Sequence, residues 1–206
     1  MATRKYDQRL RADAAEQTRR DILDALYQLL RDEPAMPVSV ERVAATARVS
    51  RSTVYTAFGS RAGLFDALGD ELRRRGGFHR APNGGNDQDA RRSLLDSIRA
   101  SVATFAEHRS VLRALYSMAA LDPRAVGGVV ERLGTGRAEG LAWHAERLAA
   151  EGALRRGVSA AEAAHLLWAV TGFEFFDQLY TGRGLPVDEV TELMATAAER
   201  LVLRVS

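Results

Sequence analysis

The sequence predicts an all-α protein of about nine helices. Three observations carry that expectation. Apolar residues recur at three- and four-residue spacing through most of the chain, β-branched residues never alternate with polar ones over a useful stretch, and glycine, proline and asparagine gather between the periodic runs. With 206 residues, 46% of them hydrophobic, the chain is long enough to bury a core as one large or two small domains.

The first helix is expected from about Asp13 to Arg31, with Ile22, Ala25, Leu26, Leu29 and Leu30 on one stripe and an end before Pro34 and Pro37. Ser39 caps a second helix whose apolar positions are Val40, Val43, Ala44 and Ala47. After the polar run Ser50-Arg51-Ser52-Thr53 comes a third helix of about two turns, stopped by Gly59. Ser60 then caps a fourth, which carries Leu64, Phe65, Leu68 and Leu72.

The stretch RRRGGFHRAPNGGNDQ (73–88) concentrates glycine, proline and asparagine, and places the boundary between a first domain, 1–75, and a second, 76–206. Five further helices follow: Gln88 to Glu107, Arg109 to Leu121, a long one after Pro123 to about Ala150, Ser159 to Tyr180 with SAAE as a capping box, and Val187 to Leu203. In the long one, Gly127, Gly128, Gly134, Gly136 and Gly140 cost roughly 4 to 5 kcal/mol against alanine, so a broken or mobile helix is expected.

Composition narrows the function. Without cysteine there is neither a disulfide nor a thiolate metal site, and no window approaches a membrane span or the apolar middle of a signal peptide, so a soluble, unprocessed, cytoplasmic protein is expected. The net charge of +2 hides an asymmetry: residues 1–80 hold 15 Lys and Arg against 11 Asp and Glu. All the formal positive charges but Lys5 are arginines, which suits bidentate phosphate binding and is equally what a GC-rich genome produces. No Gly-rich phosphate loop, no Gly-x-Ser-x-Gly and no convincing carboxylate pair is present, so an enzyme is not expected, nor a cofactor. His79, His108, Glu174 and Asp177 lack a second His or Cys at ligand spacing, so no metal site is expected.

The polar run between Val49 and the cluster Val54, Tyr55 and Phe58 has a physical reading. Two short helices joined by a tight turn on a longer first helix form a helix-turn-helix, whose second short helix enters the DNA major groove. Val49, Val54, Tyr55 and Phe58 would hold that helix from within, leaving Arg51, Ser52, Thr53 and Thr56 outward. Free N–H groups beside Ser50, Arg51 and Ser52 favour a phosphate oxygen. Arg51 suits guanine O6 and N7, Ser52 and Thr53 suit either base edge, and Arg61 and the Tyr55 hydroxyl suit phosphates. The basic arm Arg4, Lys5, Arg9 and Arg11 lies along DNA or is a solvated tail, and Arg73-Arg74-Arg75 is a solvated helix end or a DNA contact.

At these residues the chain resembles the TetR family of bacterial transcription regulators, through VSVERVAATARVSRSTVYTAFGSRAGLFDAL. Thr53-Val54-Tyr55, Phe58 and Ser60-Arg61-Ala62-Gly63-Leu64 occupy the family's characteristic places. Two departures stand out: Arg48 where the family's turn generally has a left-handed glycine, which costs other residues about 1 kcal/mol, and Thr56-Ala57 in place of bulkier backbone contacts. Arg48 is therefore expected among the DNA-binding residues, as a phosphate ligand that repays its strain.

The resemblance implies a second domain that binds a small-molecule effector, and a homodimer packed through its last two helices. The residues support the dimer separately. In AAHLLWAVTGFEFFDQLYTG the apolar positions cover more of the helix than one internal face requires, and the final helix carries a matching stripe. Leu166, Val170, Phe173, Phe176, Val190, Met194, Ala197 and Leu201 form the expected interface, with Trp168 as packing. Arg137 and His144 fall at one phase of the long helix and need partners; either they line an effector cavity with Phe105, Tyr116, Met118 and Trp143, or they are paired structurally.

The reading is a DNA-binding regulator, most often a repressor in such families, that leaves a palindromic operator when an effector binds. The alternative is a helical adaptor of the same fold with weak or lost DNA binding.

Overall fold

The computed structural model describes the backbone of residues 2–75 and 89–204, with side chains at 10, 12–74 and 89–204. The boundary segment 76–88 with His79, and the side chains of Arg4, Lys5, Arg9, Arg11 and Arg75, lie outside the described residues. The elements in chain order are α1 (Ala2–Asp32), α2 (Val40–Thr46), α3 (Arg51–Phe58), α4 (Arg61–Arg75), α5 (Ala90–Glu107), α6 (Arg109–Leu121), α7 (Gly128–Ala150), α8 (Ala160–Val170), α9 (Phe173–Asp177) and α10 (Val187–Val202). A π-helical turn, Pro123–Gly127, leads into α7, and another, Gln178–Gly182, prolongs α9. The all-α class is therefore the observed one. Among the described residues the β-type pairing is an isolated antiparallel bridge, Leu154 with Leu203, and no helix is long and apolar enough to cross a membrane.

The backbone divides into two compact units, Met1–Glu71 with Arg113–Val130, and Leu72–Leu112 with Glu131–Ser206. In the first, Ile22, Leu26 and Leu30 of α1 are fully buried, as are Val43 of α2, Val54 of α3 and Leu64, Phe65 and Leu68 of α4 to within 1%. The caps expected from sequence are made: Ser39 accepts from Arg42 N at 3.3 Å and Ser60 from Gly63 N at 2.9 Å. Gly59 ends α3 at φ 74, a left-handed conformation in which a side chain would be strained.

α4 approaches the start of α7 so closely that a Cβ on Gly69 would lie 2.3 Å from Val129 Cγ2. Both positions are buried. Only a residue without a side chain fits there.

In the second unit α10 packs on α5 and α8, burying Val190, Met194 and Ala198 completely. Ser159 caps α8, accepting from Glu162 N at 3.2 Å. Two expectations are corrected here. The single helix from Ser159 to Tyr180 is interrupted at Thr171 and Gly172, so α8 and α9 are separate segments. The glycine-rich α7, expected to be broken or mobile, is not broken and runs continuously from Gly128 to Ala150. Burial of Val129, Leu141, Ala145 and Leu148 along one side outweighs the propensity cost, which is a weak prior beside tertiary packing.

Gly69→Ala should destabilise the protein by about 1–3 kcal/mol, because Val129 is β-branched and cannot swing aside. Gly136→Ala, on an open helical surface with nothing within 4 Å, should instead stabilise it by roughly 0.5–1 kcal/mol. Denaturant unfolding of the two variants beside the parent measures both, and a loss at position 69 no larger than the change at 136 would refute the close packing.

Candidate nucleic-acid interface

The recognition element is built from α2, the turn 47–50 and α3. α3 begins at Arg51 because Ser50, with extended backbone, caps it: its hydroxyl accepts from Thr53 N at 3.1 Å and lies 2.7 Å from Ser52 Oγ and 2.8 Å from Thr53 Oγ1. Val54 points into the core, 1% exposed, and sets which side of this short helix faces out. Arg51, Ser52, Tyr55 and Thr56 are exposed and Thr53 is half-buried. Three neutral hydroxyls and one guanidinium therefore occupy the first turn.

The turn holds its predicted strain. Arg48 has φ 55, and it is the non-glycine residue with positive φ among the described residues. Its backbone is fixed by Arg48 N donating to Ala45 O at 3.2 Å and Val49 N to Ala44 O at 2.9 Å, while its side chain is exposed.

Several sequence-assigned groups are occupied within the protein. Thr56 Oγ1 donates to Ser52 O at 2.8 Å. Arg61 Nη1 donates to Asp122 Oδ2, Nη2 donates to Val38 O at 3.2 Å, and the guanidinium lies 5.5 Å from the Phe65 ring centroid. The residue expected to clamp phosphate thus joins the start of α4 to the α6–α7 turn and to the residues before α2. Tyr55, expected to help hold α3 from within, is 41% exposed; α3 is held instead by Val54, with Val49 and Phe58 half-buried.

Two contributors escape the sequence reading. Arg19 of α1 donates through Nη1 to Ala57 O at 2.6 Å and lies 4.3 Å from the Phe58 ring centroid. It caps the C-terminal end of α3, where carbonyls lack helical partners and the dipole favours a cation. Glu41 of α2 accepts from Arg51, Oε1 to Nη2 at 2.9 Å. Neither belongs to a local motif, and no spacing rule connects residue 19 to residue 57.

In the second unit Arg137 finds its partner. It donates through Nη2 to the Trp168 carbonyl, one of the last of α8, and to Thr171 Oγ1 at 3.3 Å, and lies 4.2 Å from the Trp168 ring centroid. His144 is 4% exposed, and its Nδ1 makes no hydrogen bond among the described residues. Burial, and secondarily the Arg147 charge, push its pKa down from 6.5 to about 4. Trp143 beside it is 39% exposed, its ring edge-on to His144 at 4.9 Å. Phe105 is committed to an aromatic cluster, 5.8 Å from both Phe173 and Phe176. Tyr116 and Met118, half-buried, fall in the other compact unit.

Four residues of the expected dimer face are buried within the chain itself. Phe173, Phe176, Val190 and Met194 are 5% exposed or less within one chain. They are spent on the unit's own core: for Phe173 and Phe176 the interruption at Thr171 and Gly172 breaks the phase assumed for one continuous helix, while Val190 and Met194 belong to the uninterrupted α10, which packs on α5 and α8. Leu166, Val170, Ala197 and Leu201 are half-buried, and Trp168 and Leu193 are 41% and 43% exposed.

Residues 22–68 match the sequence model of the bacterial regulatory proteins, tetR family. No curated protein sequence matches the chain. Among solved structures, NalD of Pseudomonas aeruginosa, the secondary repressor of the MexAB-OprM multidrug efflux pump, is 23% identical with a TM-score of 0.68, over 92% of this chain and 98% of that one. A TetR-like transcriptional regulator from Rhodococcus sp. RHA1 is 22% identical with a TM-score of 0.65, over 89% and 94%. SmeT, the repressor of the Stenotrophomonas maltophilia multidrug efflux pump SmeDEF, is 16% identical with a TM-score of 0.71, over 90% of each chain. The resemblance to the TetR family is thus shown, by sequence over residues 22–68 and by fold over about nine-tenths of the chain.

Because the folded state holds His144 neutral while the unfolded chain takes up a proton at its ordinary pKa, stability should fall as pH drops below about 6.5, with the loss complete below about 4. Between pH 7 and pH 5 this contributes on the order of 1–2 kcal/mol. Urea unfolding of the parent and His144→Leu at both pH values checks it: the variant should lose less stability on acidification, and equal losses would exclude the buried imidazole as the cause.

Proposed function

We propose that the protein is a DNA-binding transcriptional regulator that reads the major groove with α3 and acts as a repressor released by a small molecule. The observation that carries this reading is the two-sided construction of α3. Val54 is buried and Arg19 caps the far end, while Arg51, Ser52 and Thr53 stand at the opening turn with hydroxyl and guanidinium groups at the length base edges require. Residues 1–75 form the reading domain and 76–206 the effector and dimer domain in this proposal. NalD and SmeT, similar in fold, are named as repressors, and SmeT has been solved with triclosan; both support the direction of regulation and an effector that is small and largely apolar.

Within the interface Arg51, Ser52 and Thr53 read bases, and Arg48 and the Tyr55 hydroxyl anchor phosphates. Arg61 acts through position: its links to Asp122 and Val38 orient the start of α4. A second copy of the chain covers Trp168, Leu193, Leu166, Val170, Ala197 and Leu201, since exposed aromatic and aliphatic groups on adjoining helices favour a symmetric partner. A two-fold dimer calls for a palindromic operator with half-sites about one helical turn apart or somewhat more. His144 is the effector-side group, as a buried nitrogen without a partner among the described residues calls for a ligand donor or acceptor.

Footprinting of the purified protein on genomic DNA, with and without candidate effectors, tests the whole reading. A protected palindrome is expected, with affinity falling steeply as salt rises. Thr53→Ala should lower the preference for that palindrome over scrambled DNA, whereas Arg48→Gly should weaken both alike while stabilising the fold by roughly 0.5–1 kcal/mol through relief of the left-handed strain. Absence of any sequence preference would leave the helical adaptor as the surviving reading.

A further inference from the structure

Arg51 is the formal cation of α3, whose sequence is RSTVYTAF. That cation is engaged within the protein. Glu41 Oε1 of α2 stands 2.9 Å from Arg51 Nη2, with 61% of the Arg51 side chain and 53% of the Glu41 side chain exposed. So exposed an ion pair contributes little to folding, and α2 and α3 pack together with Val43, Ala44 and Val54 buried in the core. Its effect falls on the guanidinium itself.

Glu41 stays charged under ordinary conditions. Its own backbone N–H, then the Ser39 side chain and the Arg51 charge, hold its carboxyl below the usual range. A fixed anion therefore stands beside the one long cationic side chain of the reading helix. The two kinds of DNA acceptor respond to it differently. A guanine edge is neutral and offers O6 and N7 to two parallel N–H groups; the guanidinium has five N–H donors, so it can keep the carboxylate on one side and take the base with its remaining fork. A phosphate oxygen is an anion. To reach Arg51 it must displace Glu41 or sit within a few ångströms of it, and like charges at that range repel.

We propose that Glu41 is a specificity-determining positioning residue: it aims the Arg51 guanidinium at a guanine edge and withholds that charge from the phosphate backbone. The inference rests on the DNA-reading function proposed above. Glu41 thereby lowers non-specific affinity more than specific affinity, which is the direction a regulator needs when correct sites are vastly outnumbered.

The experiment begins with a duplex enriched by the full-length protein from random DNA, compared with its scrambled version. Dissociation constants for both are measured at two salt concentrations with the parent, Glu41→Gln, Arg51→Ala and the double variant. For Glu41→Gln, scrambled DNA should bind about 3–10-fold tighter, with a salt slope steeper by about one. The selected duplex should gain less, so the specificity ratio falls roughly five-fold, within the range one bidentate base contact supplies. In the Arg51→Ala background the same change should leave the ratio unaltered within about two-fold, because the residue being aimed is gone. An unchanged ratio in Glu41→Gln, or an equal drop with and without Arg51, overturns the inference while leaving the DNA-reading function intact. A parent protein that prefers neither duplex overturns the functional reading itself, and this inference with it.

Discussion

A helix of eight residues has no stability of its own. Isolated helices shorter than about 12–15 residues are marginal in water, and α3 spans only Arg51–Phe58. Everything it presents outward therefore depends on three restraints applied to its other surfaces. Ser50 satisfies an N-terminal amide, Val54 is locked in the core, and Arg19 takes a carbonyl at the C-terminal end. Two of the three are polar, which follows from length: one buried side chain fixes position poorly against rotation, and the ends of so short a helix are most of the helix. Arg19 also lies over the Phe58 ring, so one guanidinium pins both the final carbonyls and the last aromatic side chain.

Arginine used in this way recurs. Arg137 donates to the Trp168 carbonyl at the end of α8, and Arg61 to the Val38 carbonyl ahead of α2. In each instance a long cation reaches a backbone oxygen that its own segment leaves without a helical donor. Read along the sequence, these arginines are indistinguishable from phosphate ligands or from the drift of a GC-rich genome. What separates the roles is the neighbour supplied by folding, and those neighbours lie 38, 31 and 23 residues away.

That distance marks the limit of what the sequence disclosed. Caps at Ser39, Ser60 and Ser159, the stop at Gly59, the buried stripe Leu64, Phe65, Leu68 and Leu72, and the left-handed Arg48 all depend on partners within a few residues, and each was legible. The outward turn of α3 was legible for the same reason. Arg19, Glu41 and the Arg61–Asp122 link were not, since nothing local couples them. Phe173 and Phe176, expected at the dimer face, are buried within the chain for a related reason. Periodicity assigns faces on the premise of an unbroken helix, and the interruption at Thr171 and Gly172 resets the phase; the aromatic surplus then fills the unit's own core around Phe105.

Asp122 draws these threads together within the first compact unit. Its Oδ1 accepts from Ala125 N at 3.2 Å, opening the π-helical turn before α7, while Oδ2 accepts from Arg61. One carboxylate thus shapes the α6–α7 turn and, through Arg61, reaches the carbonyl of Val38 at the entrance to α2. A few residues on, Gly69 admits Val129 to the surface of α4. The turn is thereby tied to the start of α4 and to the entrance of α2. The same geometry redistributes charge. With Arg61 neutralised by Asp122, its attraction for a phosphate is discounted, and in the proposed function the exposed Arg48, held in a strained backbone conformation at the turn itself, takes over the anchoring that a free Arg61 would otherwise supply.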